Sequence, residues 1–196
     1  FAVLLALVSI VTAASAQSLQ VVASDARGVT LRLSLPDFTF TAPGVDGRAE
    51  LAVPGFQVSR VEGRANLPYA QTLVALPPGG GASARVLDAG AEEVREGVHL
   101  VLGGRPVMRD DGGEFGPVPA IEPVAPRLDG PWPAAAVELT EPTTVRGQRV
   151  VAVQVRPFRY DEATARLWLR RALLVRVDFT GAPATAGAAA SDSHWE

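Results

Sequence analysis

The chain has 196 residues and a formal net charge of −3, and its 18 basic residues are all arginine, without the basic patch that nucleic acid requires. It contains no cysteine, which excludes disulfides, thiolate nucleophiles and thiolate metal sites. With 47% hydrophobic residues it is too apolar to be generally disordered, while 19 glycines and 16 prolines interrupt it too often for long helices, so short strands are expected.

The first residues have the character of an export signal. Residues 1–11 are almost purely apolar, and Ala14-Ser15-Ala16 has the small-x-small form that signal peptidases accept, so cleavage is expected to leave Gln17 first. The alternative is a membrane anchor, but the apolar run is shorter than the roughly 20 residues that a span needs. Because the chain starts at Phe1 rather than methionine, we expect a fragment of a longer, secreted or cell-surface protein. Residues 1–16 are the predicted signal peptide, and no membrane contact is expected after its removal.

Alternating apolar residues predict the first strands of the mature chain. In residues 28–35, Val29, Leu31, Leu33 and Leu35 share one face, which is the period of a half-buried strand. Other apolar runs bounded by Gly, Pro or Asp predict strands at residues 19–23, 56–61, 71–76 and 98–102. Only the short charged stretch 91–96 could hold a helical turn.

The end of the domain predicts a long β-hairpin. Residues 149–160 and 167–179 flank the polar turn 161–166, and both arms alternate. The residues expected on the buried faces are Val151, Val153, Val155, Leu173, Val175, Val177 and Phe179. Because Pro157 cannot donate to a ladder, we expect a bend there.

Two segments lack periodicity. Residues 103–133 are dense in Pro and Gly, which predicts a long loop over the surface. Residues 181–196 begin with small, low-complexity sequence, which is typical of a linker to a further domain. The folded domain is therefore predicted to cover residues 17–180.

Catalytic motifs are missing from the sequence. The only histidines are His99 and His194, and no Gly-x-Ser-x-Gly elbow is present to complete a triad. His99 lies within an apolar run and is interpreted as a strand residue rather than a base. The glycines at 79–81 lack the lysine of a phosphate loop and predict a turn.

Two further groups of residues have both a binding and a structural interpretation. Asp110, Asp111 and Glu114 could hold calcium, but their spacing does not match a calcium loop, so a solvated acidic turn is favoured. Trp132 and Trp168 could stack on a ligand, although aromatic residues of β proteins more often cover a core or an edge. No metal ion or cofactor is expected.

Several segments carry a family resemblance. Gly63-Arg-Ala-Asn-Leu-Pro68 and Thr72-Leu-Val-Ala-Leu-Pro-Pro-Gly79 resemble the N-terminal propeptide domain of gingipain-type (C25 family, clan CD) secreted cysteine peptidases. The resemblance continues through Trp132-Pro133, residues 145–160 and residues 167–179.

The resemblance implies an all-β protein built as an antiparallel, jelly-roll-like β-sandwich, with the long loop and the C-terminal hairpin as its additions. It also implies a noncatalytic prodomain that assists folding and blocks a cysteine peptidase domain later in the same chain. Arg105 and Arg109, in the long loop, are then the candidates to reach the active-site cleft of a peptidase that prefers arginine. The alternative hypothesis is a secreted β-sandwich binding module without catalytic activity, for which Trp132 and Trp168 are the candidate site.

Overall fold

The computed structural model describes residues 18–44, 46–110 and 118–181, and the regular structure within these ranges is all β. The strands are β1 (Leu19–Asp25), β2 (Gly28–Ser34), β3 (Thr39–Phe40), β4 (Leu51–Ala52), β5 (Gln57–Ser59), β6 (Leu67–Ala75), β7 (Gly81–Asp88), β8 (Glu92–Arg95), β9 (Arg105–Arg109), β10 (Val118–Glu122), β11 (Val137–Leu139), β12 (Thr143–Val145), β13 (Gln148–Val155), β14 (Phe158–Asp161), β15 (Arg166–Arg170) and β16 (Ala172–Thr180). No helix in the described ranges has the length and hydropathy of a membrane span.

Two antiparallel sheets face each other across the first core. One has the order β1-β2-β16-β7 and the other the order β11-β13-β6-β5, with β12 also paired to β13. Alternate residues of the central strands interdigitate between the sheets, as the period of two requires. The fully buried members of this core include Leu31, Leu33, Val151, Val153, Val155, Leu173, Val175 and Val177. The predicted β-sandwich and its predicted core faces are confirmed.

A second core lies at one end of the sandwich, under the three-stranded sheet β14-β15-β8. It contains Leu35, Leu51, Val53, Ala65, Leu67, Leu100, Phe158, Tyr160, Leu167 and Leu169. Strand β6 starts in this core at Leu67 and ends in the first core, so it joins the two.

The prediction of one long C-terminal hairpin is wrong beyond its tip. Only β14 and β15 pair with each other, whereas β13 pairs with β6 and β16 pairs with β2 and β7. The predicted bend at Pro157 is confirmed, because the two arms enter different sheets there. Proline has no N–H for the next ladder bond, and its carbonyl instead accepts a hydrogen bond from the Arg170 amide at 3.0 Å. The valines of the two arms therefore face each other across the core.

Two other predictions change locally. The possible helical turn at residues 91–96 is wrong, since Glu92–Arg95 forms β8 beside β15. The predicted strand at residues 98–102 is wrong, because these residues form isolated bridges, Ala49 with Leu100 and Ala65 with Leu102, and no regular strand. The turn at the three glycines is confirmed by the Gly80 amide, which donates to the Pro77 carbonyl at 3.0 Å. The jelly-roll-like strand order is not confirmed.

Candidate functional site

The segment predicted as a long loop contains a small hairpin instead. Strands β9 and β10 pair antiparallel from Arg109 opposite Val118 to Arg105 opposite Glu122. Within the described part of the chain they form a two-stranded sheet separate from the two sheets of the sandwich. The prediction of an irregular loop is therefore wrong for these ten positions, and we refer to them as the β9–β10 hairpin.

Both ends of this hairpin are fixed to one turn of the sandwich, residues 61–64. The Gly63 amide donates to the Gly103 carbonyl and the Gly103 amide donates to the Arg64 carbonyl, each at 2.8 Å. On the other side, the Arg127 amide donates to the Gly63 carbonyl at 2.9 Å. The chain segments before β9 and after β10 thus meet on the same turn, which we call the cradle.

Glycine is required in the cradle and in the segment that contacts it, because the two backbones pack directly against each other. A Cβ atom on Gly103 would lie 2.4 Å from the Val61 carbonyl oxygen, and one on Gly63 would lie 2.8 Å from the Ala125 carbonyl oxygen. Gly63 also has a φ of +72°, which side-chain-bearing residues rarely adopt. These contacts give the Gly63-Arg-Ala-Asn-Leu-Pro68 motif a structural role at the base of the hairpin.

The two candidate arginines have different surroundings on β9. Arg105 forms an ion pair with Glu62 of the cradle at 2.7 Å. The hydrogen bond from Arg105 lowers the pKa of Glu62, and the same contact raises the pKa of Arg105. Arg109 lies 3.8 Å from Glu122 of the neighbouring strand, and the two arginine side chains are equally exposed, at 60% for Arg105 and 59% for Arg109. Arg105 is therefore bound to the body of the domain, whereas the longer ionic contact of Arg109 stays within the hairpin.

One face of the β9–β10 hairpin is apolar and exposed. Pro106 pairs with Ile121 and Met108 pairs with Pro119, so these four side chains share a face that we call the apolar face. Met108 is 64% exposed and Ile121 is 66% exposed. With Val107 and Ala120, they line an open groove of about 340 Å³. Such exposure of large apolar residues is typical of an interaction surface.

The residues considered for catalysis or ligand stacking have structural contacts. The side chain of His99 is exposed, and its carbonyl oxygen accepts a hydrogen bond from the Ala49 amide at 2.8 Å. Both tryptophan rings are half-buried and lie under guanidinium groups. These are Arg64 at 5.5 Å and Arg156 at 5.8 Å over Trp132, and Arg159 at 4.8 Å and Arg166 at 5.9 Å over Trp168. Each ring therefore packs against side chains of this chain, which is the arrangement expected of aromatic residues that cover a core or an edge.

A buried polar cluster stabilises the tip of β14 and β15. The Tyr160 hydroxyl donates to the Val98 carbonyl at 2.7 Å, and burial raises the pKa of Tyr160 to about 12. Next to it, Arg48 forms an ion pair with Glu162 at 2.6 Å. Glu162 belongs to the predicted polar turn, so this turn is fixed to the body by charge as well as by packing.

Several predicted positions lie outside the described residues. They are the cleavage-site residues Ala14, Ala16 and Gln17, the acidic residues Asp111 and Glu114, and most of the predicted linker. Within the described ranges, no group of three or more histidine, aspartate or glutamate side chains is arranged to hold a metal ion.

Comparisons with known proteins agree on one family. The family model Propeptide_C25 matches residues 50–192. A structure described as a complex of Porphyromonas gingivalis RgpB pro- and mature domains has a TM-score of 0.70 at 15% identity, covering 84% of this chain and 86% of that chain. A structure on the zymogenic latency of gingipain K from the same organism has a TM-score of 0.66 at 21% identity, covering 87% and 96%. A comparison with curated proteins finds no significant match.

Proposed function

Because the chain belongs to the C25 propeptide family, we propose that it is the N-terminal prodomain of an exported gingipain-like cysteine peptidase, which it holds inactive and helps to fold. The family match over residues 50–192 carries this proposal. The domain is not itself the catalyst, since a cysteine peptidase needs a thiolate nucleophile and this chain has no cysteine. The catalytic residues belong to a domain that follows.

The β9–β10 hairpin is the inhibitory element of this proposal. It projects as a separate two-stranded sheet, and its base is fixed by the cradle, so it meets a partner with little loss of conformational freedom. Of the two arginines proposed to reach the active-site cleft, Arg109 is favoured because its ionic contact is the longer one, 3.8 Å against 2.7 Å for Arg105. Arg105 would first have to leave Glu62.

The connection between the domains supplies the switch. A tethered partner experiences an effective concentration of about millimolar, so an interface with a micromolar Kd is occupied roughly 99.9% of the time. Cutting the linker within residues 181–196 removes this advantage. At nanomolar concentrations outside the cell the same interface dissociates almost completely, without any change in its contacts.

Export completes the proposal. Cleavage after Ala16 would place Gln17 at the new N-terminus, one residue before Ser18. The Ser18 carbonyl accepts a hydrogen bond from the Ser34 amide at 2.8 Å and so belongs to the edge of the β1–β2 ladder. N-terminal sequencing of the secreted product tests the position; an N-terminus at Phe1 contradicts it.

The test of latency is a titration of the chain from Gln17 to Glu196 against its separately activated peptidase domain. Inhibition with a Kd in the micromolar range or tighter is expected. Val153→Asp provides the control, because a charge at a fully buried position unfolds the sandwich and removes the inhibitor without touching the hairpin. Absence of inhibition at tens of micromolar, with both parts shown to be folded, contradicts the proposed function.

A further inference from the structure

The two faces of the β9–β10 hairpin differ in charge. Arg105, Arg109 and Glu122 lie on one face, where each of them has an ionic partner within this chain. The apolar face carries Pro106, Met108, Pro119 and Ile121 and contains no charged residue. The charges of the hairpin are therefore matched internally, and the apolar face presents uncompensated hydrophobic surface to its surroundings.

Prolines restrict how this hairpin can bind. Pro106 and Pro119 belong to cross-strand pairs that lie two positions apart on the ladder. Because proline has no N–H to donate to the partner strand, these are the pairs whose backbone groups point away from the partner strand, toward the free edges. Each free edge thus lacks one of the outward donors that an added strand would need. A partner is expected to contact the side chains of the apolar face rather than to extend the sheet.

We propose that the apolar face of the β9–β10 hairpin packs against the peptidase domain of the same chain, and that Met108 and Ile121 are the side chains on which this interaction depends. The proposal rests on the proposed function and adds to it a contact surface that does not involve an arginine in the cleft. A few side chains that become fully desolvated near the centre of an interface commonly carry most of its affinity.

The positions of the hairpin and the linker allow this contact. The cradle immediately precedes β6. Thr180, the last residue of β16, lies against the turn that follows β6, because a Cβ on Gly80 in that turn would be 3.3 Å from the Thr180 carbonyl oxygen. The hairpin and the linker are therefore separated by the length of β6, nine residues or about 30 Å. Residues 182–196 can span up to about 50 Å when extended, which is enough to bring a following domain back to the hairpin.

A second copy of this chain is a weaker candidate for the same surface. The tether presents the peptidase domain at about millimolar effective concentration, whereas another copy would be available only at its bulk concentration. A two-residue hot spot on a small hairpin thus binds intramolecularly before it binds a second molecule.

Single substitutions to aspartate provide the experiment. Met108→Asp and Ile121→Asp are made in the chain from Gln17 to Glu196, with Leu73→Asp as the matched control. Leu73 is 58% exposed on the outer face of the sheet that contains β6, so it receives the same change at similar exposure away from the hairpin. Each variant is compared with the parent by its inhibition constant for the activated peptidase domain, its melting temperature and its sedimentation coefficient.

We expect Met108→Asp and Ile121→Asp to weaken inhibition at least about 30-fold, with Leu73→Asp within about 3-fold of the parent and all melting temperatures nearly unchanged. Equal inhibition by the Met108, Ile121 and parent chains overturns this inference while leaving the latency function intact. A concentration-dependent dimer that Met108→Asp abolishes, without a change in inhibition, assigns the face to a second copy and also overturns it. A folded parent that fails to inhibit contradicts the function itself.

Discussion

Val153 tests whether the two sheets are held by the core described above. The residue is 0% exposed at the centre of β13, with the other sheet packed over it. Val153→Ala removes two carbons, which lose about 1.6 kcal/mol of transfer free energy at about 0.8 kcal/mol each. The cavity that remains adds about 1 kcal/mol. The free energy of unfolding is therefore expected to fall by about 2.5 kcal/mol, which lowers the melting temperature of a domain of this size by about 5 to 10 °C.

Val21→Ala is the matched control for this change. Val21 is the cross-strand partner of Leu31 on the core side of its sheet, but it is 62% exposed because it lies on the edge strand. The same two carbons are mostly in water already, so the loss is expected to be about 0.6 kcal/mol. Thermal and urea unfolding followed by far-ultraviolet circular dichroism measure both values. Equal losses for the two variants would refute the assignment of the core.

Two pH dependences follow from the described contacts. Burial raises the pKa of Tyr160 from 10.0 to about 12, so the unfolded chain loses the hydroxyl proton at a lower pH than the folded chain. The free energy of unfolding is therefore expected to fall as the pH rises from about 10 to about 12. Tyr160→Phe should remove this fall in unfolding experiments. The hydrogen bond from Arg176 lowers the pKa of Asp25 below 3.8, so its stabilisation is present above about pH 4 and is lost as the pH falls through the lowered pKa. Arg176→Ala should reduce this loss of stability at acid pH, while Arg32→Ala, at an exposed position of the same sheet, should leave it unchanged.

Alternation along the chain predicts which residues face the core, because a strand's period of two does not depend on its partner. Leu31, Leu33, Val153 and Val175 were all identifiable in this way, and all are buried. The partner of a strand is a different property. Both arms of the predicted hairpin carry valines on one face, and this pattern is the same whether the arms pair side by side or face each other across a core.

Contacts between distant positions were beyond prediction from the sequence. Arg176 alternates with the buried residues Val175 and Val177, a pattern that indicates a solvent-facing position. Its guanidinium nevertheless forms ion pairs with Asp25 and Asp178, and its side chain is only 13% exposed. Asp25 is 151 positions away, and nothing local indicates the pairing. In a single sequence, a charged residue that faces water and one that belongs to an ion-pair network give the same alternating pattern.

The β9–β10 hairpin was missed for a different reason. Its strands have only five residues each, and Pro106 and Pro119 fall within them, where proline normally indicates a loop. A period-two signal was present in Pro106 with Met108 and in Pro119 with Ile121, but it is too short to outweigh the Pro and Gly content of residues 103–133. The cradle was also hidden, since it depends on the approach of three separate segments.

The cradle provides the last prediction, Gly103→Ala. Its backbone conformation lies outside the left-handed region, so the cost of a methyl group comes from space alone: the Cβ would be 2.4 Å from the Val61 carbonyl oxygen and 2.8 Å from the Val61 carbonyl carbon. Gly44→Ala is the matched control, because Gly44 also has an ordinary φ and its Cβ would approach a side-chain atom that can move, Asp46 Oδ1 at 3.2 Å.

Backbone atoms at the cradle cannot move aside without breaking the hydrogen bonds that join Gly103 to Gly63 and to Arg64, so Gly103→Ala is expected to cost about 1 to 3 kcal/mol and to loosen the base of the hairpin. Hydrogen exchange at the amides of Gly63 and Gly103 should then accelerate by more than exchange in β13, whose packing is untouched. Inhibition of the peptidase domain should weaken in parallel, since a loosened hairpin must be ordered again on binding. Gly44→Ala should leave both measurements close to the parent. A Gly103→Ala variant with unchanged exchange at these two amides would contradict the conclusion that the backbone contacts of Gly103 hold the base of the hairpin.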